Sequence, residues 1–83
     1  MNFTLLITNG RVRNRQIKLL EDKNIFAVSG LKQDLYESIN KLCSKRIDTV
    51  IISSSIPYSV YIEQILNIAR QTLDGKELNV IWL

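Results

Sequence analysis

Three consecutive serines, Ser53 to Ser55, are the residues whose type and spacing most directly suggest chemistry. They follow an apolar run, and their hydroxyl groups could bind a phosphate together with the N-terminus of a following helix. The glycines and lysine of a phosphate-binding loop are missing here. A nucleophilic serine would also need a base, and the chain contains no histidine. We therefore expect these hydroxyls to satisfy turn amides, and we expect neither catalysis nor a cofactor.

Basic residues near the N-terminus suggest a second chemistry, the binding of nucleic-acid phosphates. Residues 1–23 contain five basic and two acidic side chains and so carry the whole net charge of +3. Alternate spacing would spread these residues around a helix, by about 200° per step of two, and no aromatic residue interleaves with them. A solvated basic surface is therefore favoured, and nucleic-acid binding is kept as the alternative function for Arg11, Arg13, Arg15 and Lys18.

Metal binding by cysteine and histidine is not expected, because Cys43 is the only cysteine and histidine is absent. Cys43 is predicted to be a buried, inert thiol. No disulfide can form within the chain, which favours a reducing, cytoplasmic location. The N-terminal apolar run precedes the basic residues, the reverse of a secretory signal. No apolar run approaches the roughly 18 residues of a transmembrane helix, so membrane insertion is not expected.

The length of 83 residues and the apolar fraction of 46% predict one globular domain over residues 1–83. A domain of this size buries only about 60% of its unfolded surface, so we expect a partner to contribute to its stability.

Short apolar runs alternate with longer amphipathic stretches along the chain. The predicted strands are residues 3–7, 25–28, 47–52 and 78–83. The predicted helices are residues 31–45 and 58–73, with a looser fit over 11–22. In the last helix the expected buried face is Ile62, Ile65, Leu66, Ala69 and Leu73. The order β-α-β-α-β-α-β predicts an α/β fold, a small three-layer sandwich with a parallel sheet between helices.

Polar residues stand at the predicted strand ends, where doubly wound sheets carry their functional groups. The segment from Asp48 to Pro57 resembles response-regulator receivers, in which an Asp opens strand three, another Asp ends it and a Pro follows four residues later. By this resemblance Ser53 stands at the phosphoacceptor position. Thr8 and Asn9 stand at the two acidic positions that hold magnesium in the family.

The resemblance implies a receiver-like or flavodoxin-like fold truncated after strand four, without the family's chemistry. A hard divalent cation needs anionic oxygen ligands, and phosphotransfer needs the aspartate nucleophile. The chain is similar to the degenerate receivers at the N-terminus of ParA/MinD-type ATPases of Tad pilus assembly, which serve in localisation and dimerisation. We therefore expect a non-catalytic regulatory module that binds a protein partner or its own copy.

The last predicted strand is the most apolar candidate interface, because residues 78–83 carry no charge. In a receiver-like strand order with nothing after Leu83, this strand would be an edge and would favour self-association, most simply as a two-fold dimer. Spacing does not decide whether the tyrosines form a binding rim or cover the sheet, or whether Trp82 belongs to the core or to an interface. The candidate interface residues are Leu78, Val80, Trp82, Tyr58 and Tyr61.

Overall fold

Strands and helices follow one another in the computed structural model, which describes residues 2–10, 12–31, 34, 37, 40, 44, 46–56 and 59–83. The strands of this part are β1 (Phe3–Thr8), β2 (Ile25–Ser29), β3 (Ile47–Ile52) and β4 (Asn79–Trp82). The helices are α1 (Asn14–Glu21) and α2 (Val60–Gln71). The helix predicted over residues 31–45, with Cys43, lies outside the described residues except at Leu31, Asp34, Glu37, Asn40 and Ser44.

The four strands form one parallel sheet in the order β2-β1-β3-β4. In the register of this sheet, Leu5 of β1 lies opposite both Phe26 and Val50, and Val80 of β4 lies opposite Val50. Parallel neighbours need crossover connections, which agrees with the helical segments between the strands. The predicted α/β class, the parallel sheet and the edge position of β4 among the described strands are confirmed.

The hydrophobic core fills the side of the sheet that α2 covers, called here the α2 face. Side chains alternate between the two sides of a strand. On the α2 face, Leu5, Ile7, Val50 and Ile52 are completely buried. The apolar side of α2 and the turn after it packs on this face and is equally inaccessible. Its buried residues are the five that the spacing predicted, Ile62, Ile65, Leu66, Ala69 and Leu73.

The opposite side of the sheet, called here the α1 face, is covered by α1 over β1 and β2. Ala27 of β2 is buried on this face, and Leu6 of β1 shares a cavity lining with Leu19 and Leu20 of α1. Helix, sheet and helix therefore form three layers, as expected, with α1 and α2 on opposite sides.

The first helix begins later than predicted, at Asn14 rather than at residue 11. Arg13 is its N-cap and has extended backbone angles, with φ −66° and ψ 143°. After the helix, Asn24 adopts a left-handed conformation with φ 61°, which asparagine tolerates better than most residues and which turns the chain into β2. Leu19 of this helix is apolar, but it is 60% exposed.

The second helix is shorter at both ends than the predicted span of 58–73. Its N-cap is Ser59, whose Oγ accepts a hydrogen bond from the backbone N–H of Ile62 at 3.4 Å. Pro57 and Tyr58 lie outside the described residues. The helix ends at Gln71, and Asp74 and Gly75 follow with φ 48° and 83°, so a left-handed turn leads towards β4.

Candidate functional site

Polar residues from three strands meet at the carboxyl edge of the sheet, as the parallel topology requires. Thr8 ends β1, Ser29 ends β2, and Ser53 directly follows β3. Two backbone hydrogen bonds hold these strand ends together. Gly30 donates to the carbonyl of Thr8 at 2.8 Å, and Ser53 donates to the carbonyl of Ile7 at 3.0 Å. The sheet therefore brings Thr8 and Ser53 to the same edge.

The hydroxyl group of Thr8 is engaged by the backbone around it. Its Oγ1 lies 2.6 Å from the carbonyl oxygen of Gly10 and 3.2 Å from that of Val28, and it donates to both. A hydroxyl has only one hydrogen, so the two carbonyls share it. Gly10 has φ 113°, a conformation that side chains rarely adopt. Thr8 therefore ties the turn after β1 to β2, while Asn9 beside it is exposed.

The three serines form a turn directly after β3. The backbone N–H of Ile56 donates to the carbonyl of Ser53 at 3.1 Å, the bond that closes a four-residue turn. The Oγ atoms of Ser53 and Ser55 lie 3.3 Å apart, within hydrogen-bonding distance. Ser53 is half-buried, whereas Ser54 and Ser55 are exposed. The three serines therefore lie in a turn, but among the described contacts a backbone bond closes it, and no backbone amide donates to any of their hydroxyls, contrary to the expectation.

An apolar side chain, that of Ile56, packs across this same edge. A Cβ atom placed on Gly30 would lie 2.9 Å from Ile56 Cδ1, 3.1 Å from Ile7 Cγ2 and 3.3 Å from the carbonyl oxygen of Thr8. Ile56 is half-buried and packs against the hydrophobic core. Hydrocarbon therefore covers the backbone at the ends of β1 and β2 on the α2 face.

The donor atoms at the ends of β1 and β3 are the hydroxyls of Thr8 and Ser53 and the amide of Asn9, with no carboxylate in those three positions. Such a set suits Mg²⁺ poorly, because that ion prefers carboxylate oxygens. Asp48 is the second residue of β3 and lies near the opposite end of the strand, roughly 16 Å from Ser53 at 3.3 Å per residue. Its Oδ1 accepts a hydrogen bond from Thr49 Oγ1 at 3.1 Å.

Sequence reasoning missed a separate cavity beside β2, of about 250 Å³, whose lining includes Ser29 and the acidic residues Asp34 and Glu37. Asp34 is 9% exposed, and its backbone N–H donates to the carbonyl of Leu31 at 2.9 Å. Neither Thr8 nor Ser53 lines this cavity. The only signal in the sequence was an acidic residue in the first turn of a predicted helix. Over the described residues, no three His, Cys, Asp or Glu side chains are grouped so that they could hold a metal ion.

Comparison with family models, curated proteins and solved structures finds no match to this chain. The arrangement of its own residues is therefore the basis for inferring what it does.

The basic residues are on the surface, but they are not arranged as the alternate spacing suggested. Arg13, Arg15 and Lys18 are exposed, and Arg11 lies outside the described residues. Because α1 begins at Asn14, Arg13 precedes the helix and only Arg15 and Lys18 belong to it. Residues three apart are neighbours on a helix surface, so these two form a local basic patch. Nucleic-acid binding stays a prediction.

The predicted interface residues divide into two groups. Leu78 and Val80 are half-buried and pack against the core, whereas Trp82 is 48% exposed at the edge strand. Tyr61 is half-buried in α2, and Tyr58 lies outside the described residues. β4 has β3 on one side and no described strand on the other. Within the described residues, no helix has the length and apolar character needed to cross a bilayer.

Proposed function

We propose that this chain is a non-catalytic regulatory module of the receiver-like kind, which acts by binding a protein partner or its own copy through the region of β4. The observation that carries the proposal is the edge strand. Among the described strands, β4 pairs only with β3, and it carries large apolar side chains that are partly exposed, Ile81 at 44% and Trp82 at 48%.

An apolar edge of this kind favours association with another chain. The backbone N–H of Leu83 donates to the carbonyl of Ile52 at 3.0 Å. Because alternate amides of a strand point to opposite sides, the amide of Val80 points away from β3. An added strand can accept a hydrogen bond there and make the sheet continuous with its own. Such β-strand addition gives affinity through the main chain.

Burial of Trp82 would add to this affinity. An indole side chain buries about 150–250 Å² when it is covered. With 48% of it exposed, an interface would remove about 100 Å² from water. That burial contributes roughly 2.5 kcal/mol before the costs of association are subtracted.

The residues at the strand ends are the reason for proposing that the chain is not catalytic. The Thr8 hydroxyl is bound to backbone carbonyls, and Ser53 stands where an aspartate nucleophile would be needed. Ile56 packs across the same edge. A receiver-like sheet with these residues retains a platform for binding without the groups that phosphotransfer uses.

Sedimentation equilibrium tests whether the chain associates with its own copy. A protein concentration of about 10 µM would populate a dimer with a micromolar dissociation constant. We expect the chain to dimerise and Trp82→Lys to shift it towards the monomer. Val60→Lys is the matched control, because Val60 is 70% exposed on α2. A folded chain that stays monomeric would contradict the self-association arm of the proposal.

Two incubations test the absence of phosphotransfer. In one the chain is mixed with acetyl phosphate and magnesium, and in the other with beryllium fluoride. We expect no change in mass with the first and no stoichiometric binding with the second. A phosphorylated residue or bound beryllium fluoride at the end of β3 would contradict the proposal.

A further inference from the structure

Burial along β3 differs sharply between its two sides. Val50 and Ile52 are completely buried on the α2 face. Ile51 lies between them on the α1 face and is only half-buried, although β3 has strands on both sides. The next residue on the same face is Ile81 of β4, paired with Ile51 and 44% exposed. The α1 face is therefore apolar but incompletely covered over β3 and β4.

The first helix borders this uncovered area. Leu6 of β1 and the helix residues Gln16, Leu19 and Leu20 contribute to the lining of a cavity of about 360 Å³. The cavity beside β2 is lined instead by Asn14 and Ile17, so Gln16 and Leu19 lie on the side of α1 away from β2. We call the surface formed by Leu6, Leu19, Ile51 and Ile81 the β3–β4 groove.

The β3–β4 groove has the width of one helix. Neighbouring strands are about 4.8 Å apart and a helix with its side chains is about 10 Å across, so one helix covers roughly two strands. Among the described helices only α1 lies on this face, over β1 and β2, which leaves room over β3 and β4 for one more. β3 is six residues long, or roughly 20 Å, which corresponds to about 13 residues of helix.

Neither described helix of a second copy is suited to fill this groove. The outer surface of α1 carries Arg15 and Lys18, and that of α2 carries Gln64, Asn67 and Arg70. Placing such a surface on Ile51 and Ile81 would bury polar groups without partners, which costs free energy. The occupant must therefore bring an apolar stripe of its own.

The positive charge of α1 beside the groove favours one kind of apolar-striped helix over others. Arg15 lies one turn before Leu19 on α1, and it is exposed together with Arg13 and Lys18. Residues 1–23 carry the whole net charge of +3. A partner helix beside α1 should bind faster and more specifically if its flank carries acidic side chains, because complementary charges raise the rate and specificity of association.

We propose that the β3–β4 groove binds an amphipathic helix of a partner protein, with an apolar stripe on the sheet and acidic residues beside α1. This inference rests on the proposed interaction function and assigns it a second surface, on the α1 face rather than at the β4 edge. The mode is the common one in which a helix lays its apolar side into a hydrophobic groove.

The probe is a labelled synthetic peptide of about 18 residues, with leucines at helical spacing and glutamates elsewhere. A second peptide replaces every glutamate with lysine. Fluorescence anisotropy should show the acidic peptide binding at least about tenfold more tightly than the basic one at ~50 mM salt. Substituting Arg15→Gln and Lys18→Gln should reduce this difference.

Substitutions in the groove locate the binding site. The double variant Leu19→Ser/Ile81→Ser should weaken acidic-peptide binding by about tenfold or more, since both side chains are exposed and apolar. Val60→Ser is the matched control, because it removes a side chain that is 70% exposed on α2, and it should leave the affinity unchanged. Circular dichroism should show that both variants remain folded.

Three results would overturn the assignment. The first is failure of the acidic peptide to bind the folded chain. The second is tighter binding of a short DNA duplex that depends on Arg15 and Lys18, which would favour nucleic acid. The third is loss of self-association in the single variant Leu19→Ser, which would place a second copy in the groove because Leu19 lies away from β4. If the chain dimerises through β4 but does not bind the peptide, the proposed function stands and only the assignment of the β3–β4 groove is wrong.

Discussion

The side chain of Ile56 lies against the backbone of Gly30 at the carboxyl edge of the sheet. A Cβ atom on Gly30 would come within 2.9 Å of Ile56 Cδ1 and within 3.1 Å of Ile7 Cγ2. The two contacts differ in kind, because Ile56 is half-buried at a loop, whereas Ile7 is completely buried in β1. A side chain at the position after β2 therefore requires Ile56 Cδ1 to move away and the buried Ile7 to yield slightly.

Gly30→Ala should destabilise the chain by about 1–3 kcal/mol, because the added methyl group overpacks the site. Equilibrium urea unfolding measures this change. Ile56→Val shortens the contacting side chain, and in a double-mutant cycle it should recover part of the loss. Strictly additive effects of the two substitutions would show that Gly30 and Ile56 do not restrict each other.

Removal of the Thr8 hydroxyl should loosen the turn after β1. Thr8→Val leaves the carbonyls of Gly10 and Val28 without this donor, so we expect a loss of about 1–2 kcal/mol in the free energy of unfolding. Thr49→Val is the control, since the Thr49 hydroxyl bonds only the adjacent Asp48 carboxylate among the described contacts. Equal losses in the two variants would argue against a special role for Thr8.

Capping of α2 by Ser59 gives a third prediction. Ser59→Ala removes the acceptor for the backbone N–H of Ile62 and should cost about 1 kcal/mol. Ser54→Ala changes an exposed serine in the preceding turn and should have almost no effect. If thermal unfolding shows the same midpoint for Ser59→Ala as for the unsubstituted chain, the cap contributes nothing to stability.

The buried side of α2 should dominate the stability of the fold. Leu66→Ala removes a side chain that is 2% exposed and should cost about 2–5 kcal/mol. Val60→Ala on the same helix, at a residue that is 70% exposed, should change the free energy of unfolding by less than about 0.5 kcal/mol. Comparable losses at the two positions would contradict the assignment of the core to the α2 face.

Periodicity was sufficient to predict the parts of the fold that depend on many residues together. The buried face of α2, including Ile62 and Leu73, follows from apolar residues repeated at helical spacing. The parallel sheet follows from the alternation of strands and helices. Both signals are summed over a dozen or more positions, so one misleading residue does not change the result.

Features that depend on a single residue or on an approach in space were not predictable. The late start of α1 at Asn14 depends on the backbone angles of Arg13, which the side-chain pattern does not determine. Leu19 is apolar but exposed, because no described element covers its side of α1. The packing of Ile56 on Gly30 joins two loops far apart in the sequence, and neither residue has a distinctive local pattern.

The strand order also has a consequence for synthesis on the ribosome. β1 is central, yet β3, its partner on one side, begins only at Ile47. A nascent chain that has completed β2 must wait for roughly twenty further residues, on the order of seconds at typical elongation rates. During that interval one edge of β1 has no native neighbour, and an unpaired apolar strand edge is prone to aggregation until β3 has been made.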